Sequence, residues 1–201
     1  DPAPVLVILE RLKADPSLYV RKSVANNLND ISKTHPGLVA DIAKKWYGNN
    51  RDTDWIVKHG CRTLLKKGNR DVLDIFRFAD AGCVKAEGFA LESASVCIGG
   101  NMTFSFSVEA HKAARIRLEY GIDYVKANGS RSRKIFQISE LSLKENERKA
   151  YTKKHSFADA GTRTHYPGTH SVTLIVNGAG RGTLDFEVTA GQRGPHQGKR
   201  A

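Results

Sequence analysis

Long apolar runs are missing from this 201-residue sequence; none approaches the roughly eighteen residues of a membrane-spanning helix. No basic segment followed by an apolar stretch and a small-residue cleavage site opens the chain, so a cytoplasmic protein is expected. Cysteine is scarce. Cys61, Cys83 and Cys97 are odd in number, lack CxxC spacing and fall in both halves, which argues against a disulfide framework or a zinc site. His155, His165 and His170 have no acid or cysteine at ligand spacing, so no metal is expected either. The signatures of several enzyme classes are also absent: there is no GxSxG elbow and no HExxH, and Leu64-Leu-Lys-Lys-Gly68 lacks the leading glycine of a phosphate loop. No cofactor is expected.

Positive charge is what the sequence has in excess. With 32 Lys and Arg against 21 Asp and Glu, the formal net charge is +11, which favours an anionic partner, nucleic acid above all, with an anionic membrane surface as the other class that charge admits. Both halves share the excess, 14 basic against 10 acidic residues in 1–80 and 18 against 11 in the rest.

The first 80 residues carry helix punctuation. Asp15-Pro16-Ser17, His35-Pro36-Gly37, Gly48-Asn49-Asn50 and Gly68-Asn69 divide them into five predicted helices, roughly 3–14, 17–34, 37–47, 52–67 and 70–79. Laying Tyr19 on Trp55 puts Lys22 on Lys58, Asn26 on Arg62, Leu28 on Leu64 and Asp30 on Lys66, a constant offset of 36 residues. Helix pairs repeating at this length stack into a solenoid of HEAT type.

Beyond Ala81 the hydrophobic period changes from helical to two. Met102, Phe104, Phe106 and Val108 alternate with polar residues, and Ile116–Tyr120, Val172–Val176 and Leu184–Val188 repeat the pattern, with Asn177-Gly178-Ala179-Gly180 as a hairpin turn. The fold class that follows is α + β in two domains: a HEAT-like helical repeat over 1–80 and an all-β immunoglobulin-like sandwich over 83–190. Both tryptophans lie in the helical half, so the sandwich lacks a Cys-Trp-Cys core and is immunoglobulin-like in architecture only. Residues 191–201, basic and without a large apolar side chain, are expected to be disordered.

At 100° per residue, Val20, Val24, Leu28 and Ile31 form the buried face of the second helix, and Tyr19, Asn26 and Asp30 a stripe away from it, with Lys22, Ser23 and Lys33 beside them. On the repeat-related helix Trp55, His59, Arg62 and Lys66 form the matching stripe, opposite Val57, Gly60, Cys61 and Leu64. Equivalent stripes in successive repeats face one way, and cations, amides and rings together suit a phosphate backbone. A solvated helix surface accounts for the charges equally well; the exposed rings favour binding. Asp30 is the odd member, an acid on a cationic stripe, and pairing with Lys33 or Lys66 would explain it.

The run Asp15-Pro-Ser-Leu-Tyr-Val-Arg-Lys-Ser-Val-Ala-Asn-Asn-Leu-Asn-Asp-Ile-Ser-Lys33, with Thr53–His59 and Arg62–Gly68, resembles the AlkC family of the AlkC/AlkD superfamily. The β half is similar to the immunoglobulin-like extension of one branch of that family through Asp123–Gly129, Lys134-Ile-Phe136 and His165-Tyr-Pro-Gly168. The resemblance implies a monofunctional DNA-3-methyladenine glycosylase of base excision repair. Its partner would be duplex DNA containing alkylated bases rather than a membrane; the chain would be a monomer, cytoplasmic and nucleoid-associated in the bacterial manner. A base alkylated at N3 already carries the positive charge that it loses on leaving, so the demand on the protein is to stabilise the oxocarbenium sugar. A carboxylate beside the deoxyribose does that.

Asp30 matches the family position for such a catalytic carboxylate. Tyr19, Lys22, Asn26, Trp55, His59, Arg62 and Lys66 become candidate DNA contacts, joined by Arg131, Arg133 and Lys134 in a predicted Gly129–Lys134 turn and by Lys153, Lys154 and Arg163 near another edge, with the β half closing a clamp. The family has further repeats before the point where this chain begins, Asp1-Pro2-Ala3-Pro4, so the resemblance implies a C-terminal portion that lacks full activity by itself. A helical-repeat scaffold that binds DNA or protein without chemistry is the alternative.

Overall fold

The computed structural model describes residues 1–159 and 164–191 and divides the chain into two compact units, Asp1–Ala79 and a second beginning at Asp80. Arg163, and the expected disordered tail apart from Gly191, lie outside the described residues.

The first unit is helical: α1 (Ala3–Leu12), α2 (Leu18–Ile31), α3 (Pro36–Trp46), α4 (Arg51–Gly60), α5 (Arg62–Lys66) and α6 (Arg70–Ile75). Local chemistry sets the boundaries. Asn50 and Asn69 cap α4 and α6, their side-chain oxygens accepting from the backbone N–H groups of Thr53 (2.9 Å) and Val72 (3.1 Å). Gly48 and Gly68, with φ of 91° and 67°, turn the chain in the left-handed region just ahead of those caps.

Six helices stand where five were expected, because the stretch predicted as one helix over 52–67 breaks at Cys61. The cause is Asn29 on α2. Its side-chain oxygen takes the backbone N–H of Thr63 (3.2 Å) and the Thr63 hydroxyl (2.8 Å), and the His59 carbonyl accepts from the Arg62 guanidinium (2.7 Å) instead.

Val24, Ala25 and Leu28 of α2 pack on Ile56, Val57, Gly60 and Cys61, and Leu64, Leu65, Val72, Leu73, Phe76 and Phe78 complete the core with Val39, Ala40, Ala43 and Trp46 of α3. Burying a side chain such as Leu28 contributes roughly 1.5–3 kcal/mol. Trp46 donates its indole N–H to Glu10 of α1 (2.6 Å) and lies under the Lys13 ammonium, 4.8 Å from the ring centre. No helix is long and apolar enough to cross a membrane among the described residues.

The second unit is a β-sandwich with β1 (Val84–Leu91), β2 (Ser95–Cys97), β3 (Asn101–Ala110), β4 (Ala114–Val125), β5 (Arg131–Leu143), β6 (Arg148–Ser156), β7 (Gly168–Val176) and β8 (Ala179–Thr189). One sheet has the order β1-β3-β6 and the other β2-β8-β7-β4-β5; all pairings are antiparallel except β2 with β8. Met102, Phe104, Phe106 and Val108 of β3 are buried, as are Ile116, Leu118, Tyr120, Ile122 and Tyr124 of β4, the burial that a period of two predicts for one face of a strand. The β7–β8 hairpin turns on Asn177 and Gly178 alone, both left-handed with φ of 48° and 77°, so Ala179 and Gly180 belong to β8 rather than to the turn.

Polar side chains also tie this interior. His155 of β6 bridges the two sheets, one ring nitrogen 2.8 Å from the Tyr120 hydroxyl and the other 2.6 Å from that of Tyr124. Arg117 and Glu119 pair at 2.7 Å with both side chains buried, and Arg117 also reaches Glu140.

Candidate nucleic-acid interface

The face of α2 that points away from the core meets the corresponding face of α4 and α5. Asn26 accepts from the Arg62 guanidinium at 3.2 Å, and the Trp55 ring stacks on His59 with centroids 5.0 Å apart and planes 8° from parallel. Tyr19 is 80% exposed and Trp55 39%, so each presents a ring to solvent. Lys22, beside His59, and Lys66, at the end of α5, are both exposed. Seven residues singled out in the sequence thus lie on adjoining faces of α2, α4 and α5, and the Asn29–Thr63 bonds, which sequence reasoning missed, tie the first turn of α5 to α2. A buried asparagine looks like any polar helix residue until its partner 34 positions away is known.

Charge on this surface is mostly cationic, with two acids, Asp52 and Asp30; Asp52, one turn before Trp55, pairs with Arg21 of α2 at 3.5 Å. Burial lowers the pKa of His59, and the Arg62 and Lys22 charges lower it further, which favours the neutral imidazole at pH 7. Asp30 is an exposed carboxylate bonded to the Lys33 ammonium at 2.7 Å. The Lys33 hydrogen bond and charge, with a smaller pull from Arg62, hold Asp30 below the usual carboxylate range, so it stays ionised at neutral pH. An ionised acid on a cationic face, with rings and amides nearby, can stabilise positive charge developing on a bound molecule.

On the β unit the structure corrects the expected arrangement. Arg131, Arg133 and Lys134 lie on strand β5, the turn being confined to residues 126–130. Successive strand residues face opposite ways, so the three do not make one patch. Arg131 donates to Ser171 (2.9 Å), and Arg133 grips Asp123 through two bonds (2.9 and 2.6 Å) and reaches Thr173 (3.2 Å). Lys134 faces the other way and shares a cleft with Lys126. Lys153 and Lys154 are neighbours on β6 and likewise alternate in direction.

His155, His165 and His170 are buried among Tyr124, Phe157 and Phe186. Among the described residues, no group of three or more His, Cys, Asp or Glu side chains is placed to hold a metal ion. Cys61 is buried, which pushes its thiol up to about 12.

Residues 85–190, the β-sandwich, match the family described as uncharacterised protein YhaZ, C-terminal Ig-like domain. The chain belongs to this YhaZ family. Over 188 residues it is 48% identical to the uncharacterised protein YhaZ of Bacillus subtilis (strain 168), covering 94% of this chain and 53% of that protein. Among solved structures it is similar to the alkylpurine DNA glycosylase AlkC of Pseudomonas fluorescens, which is bound to DNA containing an abasic-site analog. That match has a TM-score of 0.89 and 38% identity and covers 94% of this chain and 54% of the other. The chain spans about half the length of each of these relatives.

Proposed function

We propose that this YhaZ-family chain acts in repair of alkylated DNA, as a monomeric glycosylase that hydrolyses the N-glycosidic bond of cationic N3-alkylated purines in duplex DNA. The observation that carries the reading is the likeness, at 38% identity and a TM-score of 0.89, to an alkylpurine glycosylase bound to DNA. In this reading the helical unit is a HEAT-like repeat, supported by the contact of α2 with α4 and α5 at the 36-residue offset.

DNA lies along the α2–α4 surface. Lys22, Arg62 and Lys66 neutralise phosphates, Tyr19 and Trp55 lay rings against the sugar edge, and Asn26 and His59 contribute amide and imidazole contacts. The alkylated base leaves as a neutral molecule, so no general acid is required at the base. The Asp30 carboxylate stabilises the oxocarbenium sugar and orients the attacking water.

One observation favours a second reading: Asp30 is engaged by Lys33, as an ordinary helix-surface ion pair would be, and a surface that only binds needs no more. Asp30→Asn, assayed for release of 3-methyladenine from alkylated duplex and for duplex affinity, separates the two. Lost release with retained affinity supports the carboxylate role. Unchanged release removes Asp30 from the mechanism, and a protein of the relatives' full length that binds alkylated duplex tightly without releasing base points to a binding module.

A further inference from the structure

Three separate stretches of the β unit meet in one cleft of about 280 Å³. It is lined by Tyr124, Val125 and Lys126 at the end of β4, Ser132 and Lys134 on β5, and Thr164 and Tyr166 ahead of β7. The register explains the convergence. Ser132 stands opposite Tyr124 and Lys134 opposite Ile122, so both point to the inward face of the five-stranded sheet, and β5 is an edge strand of that sheet.

Two ammonium groups, two aliphatic hydroxyls and two tyrosine rings therefore surround a space with no carboxylate among the described residues of its lining. Of the nearby acids, Asp123 points to the opposite face and is bound there by Arg133, and Asp159, which lines an adjoining cleft with Thr164 and Tyr166, accepts from the His165 backbone N–H at 2.8 Å. Neither Lys126 nor Lys134 makes an ion pair with a described residue, and both are exposed at the rim, so their charge is available to a ligand. A lysine on an edge strand also deters strand-to-strand association. That role asks only for one charge facing water, and it leaves the second lysine, the hydroxyls and the rings unaccounted for.

We propose that this cleft is a phosphate site. The Lys126 and Lys134 ammonium groups neutralise the anion, the Ser132 and Thr164 hydroxyls donate to its remaining oxygens, and the Tyr166 ring offers a flat apolar wall to the attached sugar or base. A phosphodiester of the DNA backbone and the phosphate of a free nucleotide present the same chemistry here. The backbone assignment rests on the DNA reading above; the phosphate chemistry does not.

The test uses the full chain, labelled with nitrogen-15 and titrated in separate experiments with an undamaged DNA duplex and with adenosine 5′-monophosphate. The amide signals of Lys126, Ser132, Lys134, Thr164 and Tyr166 are expected to shift with the duplex. The Lys126→Gln/Lys134→Gln variant, checked for unchanged melting, is expected to lose those shifts. Its slope of log affinity against log salt should flatten by roughly 0.9 if the two lysines share one phosphate and about 1.8 if each takes its own. Shifts with the monophosphate alone would assign the phosphate site to a free nucleotide. Silence at these amides with both probes overturns the proposal, as does a double variant that keeps the parent's shifts and salt slope. No base release enters either readout, so a failure to excise bears on the glycosylase reading alone.

Discussion

The Asn26 side-chain oxygen accepts a hydrogen bond from the Arg62 guanidinium at 3.2 Å, so two residues that occupy the same place in stretches 36 residues apart are bonded to each other. The guanidinium spends a second donor on the His59 carbonyl at 2.7 Å, and it has five in all, so donors remain for a phosphate. Arg62→Ala is expected to weaken duplex binding and to flatten its salt slope by about one unit. Stability should fall by only about 0.5–1.5 kcal/mol, since partly exposed hydrogen bonds are lost and no core volume is. Affinity measured at several salt concentrations checks this, and an unchanged slope takes Arg62 off the DNA surface.

Much of this was legible in the sequence because periodicity carries it. The strands holding Phe104, Tyr120, Leu174 and Phe186 follow from alternation, and the adjoining faces of α2 and α4 from the 36-residue offset. Strands β1, β5 and β6 were not, because exposed edge positions such as Lys85, Arg131 and Lys149 dilute the alternation with charge. The break at Cys61 depends on Asn29, a partner distant in sequence that local pattern does not carry, whereas the opposed directions of Arg133 and Lys134 follow from alternation once residues 131–143 are strand rather than turn.

Asn29 accepts from both donors of Thr63 while buried on α2. Asn29→Ala leaves the first turn of α5 without that acceptor and is expected to cost about 1–3 kcal/mol. Urea denaturation should show a lower midpoint at an unchanged slope, and duplex affinity should fall with it because the placement of Arg62 follows that turn. A loss below about 0.5 kcal/mol, within the range of an ordinary surface substitution, would mean that packing alone fixes α5.

Gly60→Ala sets two effects against each other. In an open helix the change gains about 0.8–1 kcal/mol of propensity. Here the new methyl would stand 2.9 Å from Leu28 Cβ and 3.4 Å from the Ala25 carbonyl oxygen, and both atoms are fixed to the α2 backbone, so the helices must separate. Overpacking of this kind costs about 1–3 kcal/mol, and net destabilisation is expected. A raised melting temperature would show that α2 and α4 part at little cost.

His170 makes the β unit sensitive to acid. The side chain is fully buried, with Phe157, Phe186 and Tyr124 rings within 6.0 Å, and its Nε2 lies 3.0 Å from the Tyr166 carbonyl. A carbonyl only accepts, so Nε2 carries the proton of the neutral ring, and protonation would place a second N–H at Nδ1, which has no partner among the described residues. Burial lowers the His170 pKa, the Arg131 charge adds to the effect, and the Tyr166 carbonyl and Glu187 oppose it. With the folded value below the unfolded one, near 6.5, the unfolded chain binds more protons in acid; the stabilisation is complete above that value and is lost as pH falls below it. The melting temperature should therefore drop between pH 7.5 and pH 5. His170→Gln keeps a donor for Tyr166 but does not titrate, so its melting temperature should fall less over the same range. If the variant falls as steeply as the parent, His170 is not the titrating group.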